Sequence, residues 1–302
     1  MTSSSPNGGL AALSADINRI ALAAAPGIVR VHARKGPPAS GIVWRPGLIV
    51  TAEEAIEADD GIAVTLPDGT RVAATLAGRD SSTDIALLRC DGATTAVSST
   101  AASATASLGQ LAVALGLGRH GPVAGLAMIA SVSGSWQSQR GGKIDQYIGL
   151  DMRFDRHLEG AALFGPDGAL LGMIAAGPRH THLAIPSATI ERVAAQLETK
   201  GRIARGYLGL GLQPVPIEPA AGSAGKRTGV MVVSVDANGP GQAAGVLQGD
   251  IILSWNSEPV ASVREVFQRL APETVGEAVD LALRRAGAAA AARLTIGERP
   301  TT

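Results

Sequence analysis

One cysteine, Cys90, is all the thiol chemistry in this 302-residue chain, so no internal disulfide can form and no cysteine-rich metal site can be assembled. Cys90 ends the apolar stretch Ile85-Ala86-Leu87-Leu88-Arg89, and its expected state is a buried, inert thiol that leaves the redox compartment undecided. Aromatic residues are scarce too: three tryptophans, two tyrosines and three phenylalanines leave the cores to aliphatic side chains. Neither sign of charge is in excess, with 26 basic and 26 acidic residues. The whole molecule therefore has no field to draw it to nucleic acid or to an anionic membrane. No apolar run reaches about eighteen residues, which excludes a conventional helical membrane span.

What the chain does have is length for about two domains and 38 glycines, which fit turn-rich packed structure. The first nine residues are polar and lack a basic segment, and Leu10 to Ala24 is broken by Asp16, Asn18 and Arg19. This reads poorly as a signal peptide. Leu10, Leu13, Ile17, Ile20 and Ala24 recur at helical spacing, and the pattern predicts an amphipathic helix packed on the first β-structure, stopped by Pro26. From Gly27 to about Ala176, short apolar runs alternate with turns, as in an antiparallel sandwich or barrel. Strands are expected at 41–44, 48–51, 62–66, 71–77, 85–89, 111–115, 127–132 and 169–175, with Pro67-Asp68-Gly69-Thr70 as a hairpin turn. The uncharged stretch Ala93 to Ser107 reads as a flexible surface connection. Ser187 to Lys200 reads as a helix with Ser187 as N-cap and Gly201 as C-cap. Beyond it come strands at 207–212, 229–235, 250–255 and 279–284, a loop from Pro214 to Arg227, and a helix from Ser262 to Leu270.

Four stretches carry a family resemblance. They are Gly41-Ile42-Val43-Trp44 with Gly47-Leu48-Ile49-Val50-Thr51-Ala52; Gly78 to Leu88; Ile148 to Gly172; and Gly206-Tyr207-Leu208-Gly209-Leu210 with Gly229 to Val235 and Ala243 to Leu253. Together they resemble the HtrA (DegP-like, trypsin-fold) family. The resemblance implies a mainly β fold: a trypsin-like double six-stranded β-barrel followed by a PDZ domain, β with two helices. The implied domains are 1–26 as an N-terminal polar segment and helix, 27–201 as the protease-like domain and 202–302 as the PDZ domain. The family places its catalytic aspartate at the position matching Asp84. The position matching the family histidine is Glu54, and no shift of register supplies a histidine. At the nucleophile, Gly-Asn-Ser-Gly-Gly-Pro matches His157-Leu158-Glu159-Gly160-Ala161-Ala162, which puts Glu159 on serine. No serine lies between Ser138 and Ser187.

Acyl transfer by a serine needs an imidazole base, an orienting carboxylate and preorganised amides. Glutamate supplies neither the proton relay nor the attacking hydroxyl, so the expectation is a degenerate, non-catalytic member; an active endopeptidase with a different triad is the rival reading. Convergence of Glu54, Asp84 and Glu159 would force proton uptake, a basic partner or a cation. Arg153, Arg156 and His157 are the basic groups nearest in sequence, and a hard divalent ion is a further rival. No cofactor is expected. His180 and His182, two apart in strand spacing, form half of a zinc or copper site; without a third ligand they read as surface histidines. Trp136 reads as a loop residue, a cleft sensor in the family or a packing anchor.

The PDZ-like unit is expected to work. Tyr207, Leu208, Gly209 and Leu210 match the family's carboxylate-binding loop, and Val263, Val266, Phe267 and Leu270 would line the opposite wall, with Val266 and Leu270 inward. The implied partners are protein C-termini or unfolded segments held by strand addition. The resemblance further implies a homo-oligomer, trimeric in many family members, and a bacterial envelope location, whereas the missing signal points to the cytoplasm.

Overall fold

The computed structural model describes residues 8–97, 104–138, 140–152, 156–177, 181–217 and 227–299. It divides into two compact units, 1–203 and 204–302.

In the first unit, α1 (Gly8–Ala24) leads into a short 3-10 turn containing Pro26. Only the second half of its apolar stripe is buried: Ile20 and Ala24 join the core, whereas Leu10 is 79% exposed. The helix packs on a strand of the second β-structure, and its Ile20 and Ala24 share one core cluster with Ile28, Ile42 and Leu48 of the first. Seven strands form the first sheet: β1 (Ile28–His32), β2 (Ala39–Arg45), β3 (Leu48–Thr51), β4 (Ala63–Thr65), β5 (Arg71–Ala73), β6 (Thr75–Asp80) and β7 (Ile85–Arg89). Their order is β5-β4-β1-β2-β3-β7-β6. This sheet is an open half-barrel instead of the expected closed six-stranded one. Its β6 edge meets the helix α2 (Ser187–Lys200) and the segment after it, where a Cβ on Gly78 would stand 2.3 Å from the Gly201 carbonyl oxygen. The β4–β5 turn forms as its Asp-Gly pair dictates: Gly69 has φ +89°, and the Asp68 carboxylate accepts the Thr70 amide at 2.8 Å.

The second β-structure contains β8 (Leu111–Gly118), β9 (Gly121–Ser133), the short pair β10 (Trp136–Gln137) and β11 (Lys143–Ile144), then β12 (Tyr147–Asp151), β13 (Ala162–Phe164), β14 (Leu170–Ala176) and β15 (His182–Pro186). All but the short pair close into a six-stranded barrel, β12-β15-β14-β13-β8-β9. The core joins both sheets: Ile42, Val50, Leu115, Phe164 and Ile185 are buried in one cluster with Val193 and Leu197 of α2. Gly201 caps α2 in the left-handed conformation, φ +70°. The N-cap, however, is Pro186; Ser187 is buried and makes no cap, because β15 runs directly into the helix. The segment read as a flexible connection is anchored where it is described. Ala93, Val97 and Ala106 are buried, and the Val97 amide donates to the Val43 carbonyl; residues 98–103 lie outside the described residues.

The second unit comprises β16 (Gly206–Tyr207), β17 (Leu210–Ile217), β18 (Arg227–Val235), α3 (Pro240–Ala243), β19 (Ile251–Trp255), β20 (Glu258–Pro259), α4 (Val263–Gln268), β21 (Ala278–Arg285), β22 (Ala288–Thr295) and β23 (Gly297–Glu298). The main sheet runs β17-β18-β19-β21-β22, which leaves β17 at an edge among the described residues. Pro214 and Pro216 belong to β17, not to a loop; a proline is tolerated on an edge strand when its missing N–H faces outward. Ser262 caps α4 by accepting the Glu265 amide, while Glu265 reaches back to the Ala261 amide. The helix ends at Gln268, so Leu270 lies beyond it.

Candidate functional site

Three segments of the first unit meet beside β2. After β3, the chain turns through Glu53–Ala55, and the Glu54 amide donates to Asp84 Oδ1 at 3.0 Å. Asp84 sits between the β6–β7 turn and β7 with φ +56°, a left-handed conformation uncommon for side-chain-bearing residues. Its own carbonyl accepts the Glu53 amide at 3.3 Å. Burial raises the Asp84 carboxyl to about 7, helped by the negative charges of Glu54, Glu159 and Glu53 and opposed by the Glu54 amide. The structure thus brings Glu54, Asp84 and Glu159 into one electrostatic cluster. Burial also raises Glu53, against the nearby Arg79 and Arg140.

Glu159 has a basic partner that sequence proximity did not reveal. Arg34, on the connection between β1 and β2, places Nη2 at 2.9 Å from Glu159 Oε2, with side-chain exposures of 13% and 18%. Its Nε donates to the Pro37 carbonyl at 2.6 Å, which fixes the guanidinium. Arg153 and the Arg156 side chain lie outside the described residues. Around this pair the backbone is tightly tied. The Ser40 amide donates to the Glu159 carbonyl at 2.8 Å, and the Ser40 hydroxyl donates to the His157 carbonyl at 2.6 Å while accepting the Leu117 amide at 3.0 Å. Gly160 takes φ +73° and packs so closely that a Cβ would stand 2.3 Å from the Ser40 carbonyl oxygen. Thr51 donates its hydroxyl to that same carbonyl at 2.7 Å.

Apart from His157, whose carbonyl accepts the Ser40 hydroxyl, the described histidines lie elsewhere. His32, on β1, holds Nε2 2.9 Å from the Thr65 hydroxyl, and burial with nearby Arg71 and Arg30 lowers its pKa. His120 is in the exposed turn between β8 and β9. His182 is buried on β15, which lowers its pKa, and is not the surface residue expected; His180 lies outside the described residues. Trp136 lies on β10, its ring 5.5 Å from that of Tyr147 at 69°, in packing contact with the core. Among the described residues, no group of three histidine, cysteine, aspartate or glutamate side chains can hold a metal ion.

In the second unit, Tyr207 pairs with Gly297 and donates its hydroxyl to the Asp236 carboxylate. Leu208 is buried, and its carbonyl accepts the Gly241 amide at 2.7 Å. Gly209, at φ +67°, accepts the Asp236 amide at 2.8 Å. This loop opens directly into β17, with α4 packed beside that strand. Leu210, Leu212 and Val263 are partly buried against the core, Val266 and Leu270 are inside it, and Phe267 is 52% exposed.

Residues 39–173 match the family of trypsin-like peptidase domains, and residues 206–296 match the PDZ domain. The chain is similar to HtrA/DegP-like proteins. It is 29% identical over 283 residues to a probable periplasmic serine endoprotease, DegP-like, of Rhizobium meliloti, covering 90% of this chain and 56% of that protein. A protein of the same description from Bartonella henselae is 30% identical over 248 residues, 80% of this chain and 49% of its own. The chain therefore spans about half the length of the curated relatives it matches. Among solved structures, the serine endoprotease from Yersinia pestis superposes with a TM-score of 0.74 at 27% identity, covering 94% of this chain and 98% of that one. The HtrA-type protease AlgW, solved with a decapeptide, shares the fold with a TM-score of 0.74 at 21% identity, covering 95% and 99%.

Arg34, Ser40, Thr51 and the need for glycine at 160 are features that the sequence did not single out. Arg34 and Glu159 are 125 positions apart, and nothing local to Ala33-Arg34-Lys35-Gly36 marks an ion-pair partner.

Proposed function

We propose that this HtrA/DegP-like chain is a non-catalytic scaffold whose PDZ domain binds protein C-termini or unfolded segments, as an adaptor or chaperone-like factor in protein quality control. The observation that carries the reading is the Arg34–Glu159 ion pair. Glutamate stands at the position matching the family nucleophile, and its carboxylate is held by a fixed guanidinium instead of facing a base. Asp84 fits the same view. The charges that act on it are those of acids, and a carboxyl near 7 is poorly suited to stabilising an imidazolium at neutral pH.

The decisive assay is proteolysis of casein and of labelled peptides by the purified chain, together with labelling by a serine-directed phosphonate. No turnover and no label are expected. Hydrolysis abolished by the phosphonate would overturn the scaffold reading. A cation bound by the carboxylates has the raised Asp84 in its favour, but Arg34 already neutralises Glu159. Calorimetry with manganese, calcium and zinc is expected to show no binding that Glu54→Ala plus Glu159→Ala removes. For assembly, we propose a homo-oligomer, with a trimer as the form to test by light scattering.

A further inference from the structure

The open edge of β17 has a donor pattern set by two prolines. In an antiparallel pair each residue sends its N–H and its C=O to the same side, inward and outward alternating along the strand. The Gly209 carbonyl accepts the Asp236 amide, which turns position 209 toward β18. The ladder continues with Gln213 opposite Met231 and Val215 opposite Gly229. Pro214 and Pro216 have no N–H to give it, so the odd-numbered positions must carry it. The irregularity after Gly211 is an extra residue on β18, Val233, and leaves the alternation along β17 intact. Both ends of the strand thus agree: Leu210, Leu212, Pro214 and Pro216 face the open edge. Only the two leucines can donate there.

A peptide whose carboxylate rests on the Tyr207–Leu210 loop ends at the start of β17 and must run antiparallel to it. Its last residue lies opposite Leu210, its third from the end opposite Leu212, its fifth opposite Pro214 and its seventh opposite Pro216. The third residue meets a donor and an acceptor. The fifth meets a carbonyl alone, and a pyrrolidine ring stands where the amide hydrogen would be.

We propose that Pro214 and Pro216 confine this groove to the last three or four residues of a free apolar C-terminus, so that a longer chain leaves the edge after them. The proposal deepens the PDZ reading above and rests on it. The same two rings also blunt the edge against strand addition by other chains.

The test uses the full chain and fluorescein-labelled peptides ending in valine, leucine, isoleucine or phenylalanine. The tightest terminus is kept while length is varied from three to eight residues, each peptide as free acid and as amide. The free acid is expected to bind at least about tenfold tighter than the amide. Its Kd is expected to change less than about twofold between four and eight residues. In Pro214→Val plus Pro216→Val, the eight-residue peptide is expected to gain about threefold to tenfold from restored main-chain donors, while the four-residue peptide is unchanged and reports that the domain is folded. On the parent protein, N-methylation of the peptide's fifth residue from the end is expected to have no effect. Affinity that rises with length in the parent, no gain in the double variant, or a loss of more than about threefold on N-methylation would overturn the proline assignment while leaving carboxylate capture standing. Equal binding of acid and amide would sink carboxylate capture itself, and the proline assignment with it.

Discussion

The cleft of the trypsin-like unit and the groove of the PDZ unit are both built around a glycine turn, yet one is filled and the other is open. In the first, Gly160 turns the chain so that Glu159 meets Arg34, and the backbone on either side is tied to Ser40 and Ile174. In the second, Gly209 turns the chain so that its carbonyl is tied to Asp236, while the strand that follows has an edge unpaired among the described residues. Polar groups satisfied within the chain contribute to stability. Groups left facing outward are available to a ligand. The two halves of the molecule therefore divide these roles, and substitutions in each half should separate stability from binding.

The largest effect is expected at Gly160. Alanine there must take φ +73° and bring a Cβ to 2.3 Å from the Ser40 carbonyl oxygen; left-handed strain plus the forced shift should cost about 3 kcal/mol. Gly249, at φ +92° with nothing near its would-be Cβ, isolates the backbone contribution, and Gly249→Ala should cost only about 1.5 kcal/mol. Urea unfolding monitored by tryptophan fluorescence measures both. Equal losses would mean that the cleft turn is no tighter than an ordinary surface turn.

Next comes the ion pair itself. Arg34→Ala strands a mostly buried carboxylate and should lose about 3 kcal/mol, whereas Arg34→Met with Glu159→Leu should fall within about 1 kcal/mol of the parent, since apolar replacement of a buried pair is often neutral. A negligible loss in Arg34→Ala would show that Glu159 is solvated in the folded protein, and the contrast between filled cleft and open groove would fail.

These residues also mark where the sequence was legible. Apolar alternation and the Asp68-Gly69 turn placed most strands of the first unit, and the stripe of Ile190, Val193, Ala194 and Leu197 placed α2. Those signals are local, with each residue constrained by neighbours a few positions away. The motif segments located Glu54, Asp84 and Glu159, but the physics that decides their state is long-range. Arg34 pairs across 125 positions, and closure of a sheet depends on what covers its edge. Pro214 and Pro216 misled for a different reason. Proline in a segment argues for a loop unless the strand lies at an edge, and edge position belongs to the topology, not to the local sequence.

A smaller effect, and one that depends on pH, sharpens the electrostatic side of the comparison. Asp84 is raised from 3.8 to about 7 by burial and neighbouring acids. Between these values the folded state binds a proton that the unfolded state has released, so the contribution of this group to stability is greatest below pH 3.8, declines as pH rises, and levels off above about pH 7. Glu53 is shifted in the same direction. Asp84→Asn keeps an oxygen for the Glu54 amide and removes the titration. It should gain on the order of 2 kcal/mol relative to the parent between pH 5 and pH 8. Parallel stability profiles for the two proteins would show that Asp84 ionises freely and that the acids do not confront one another.

The smallest change in stability belongs to the groove. Val266 is fully buried and Phe267, its neighbour on α4, is 52% exposed, so one helix carries both a core residue and a surface one. Val266→Ala should cost about 2 kcal/mol through lost apolar packing. Phe267→Ala should change stability by no more than about 0.5 kcal/mol, yet weaken a free-acid peptide several-fold if its ring forms a wall beside β17. Peptide affinity and urea midpoints measured on the same two variants give opposite rankings under this view. If both variants lost stability and binding in proportion, the groove would have no energetics of its own, and its openness would be a feature of shape alone.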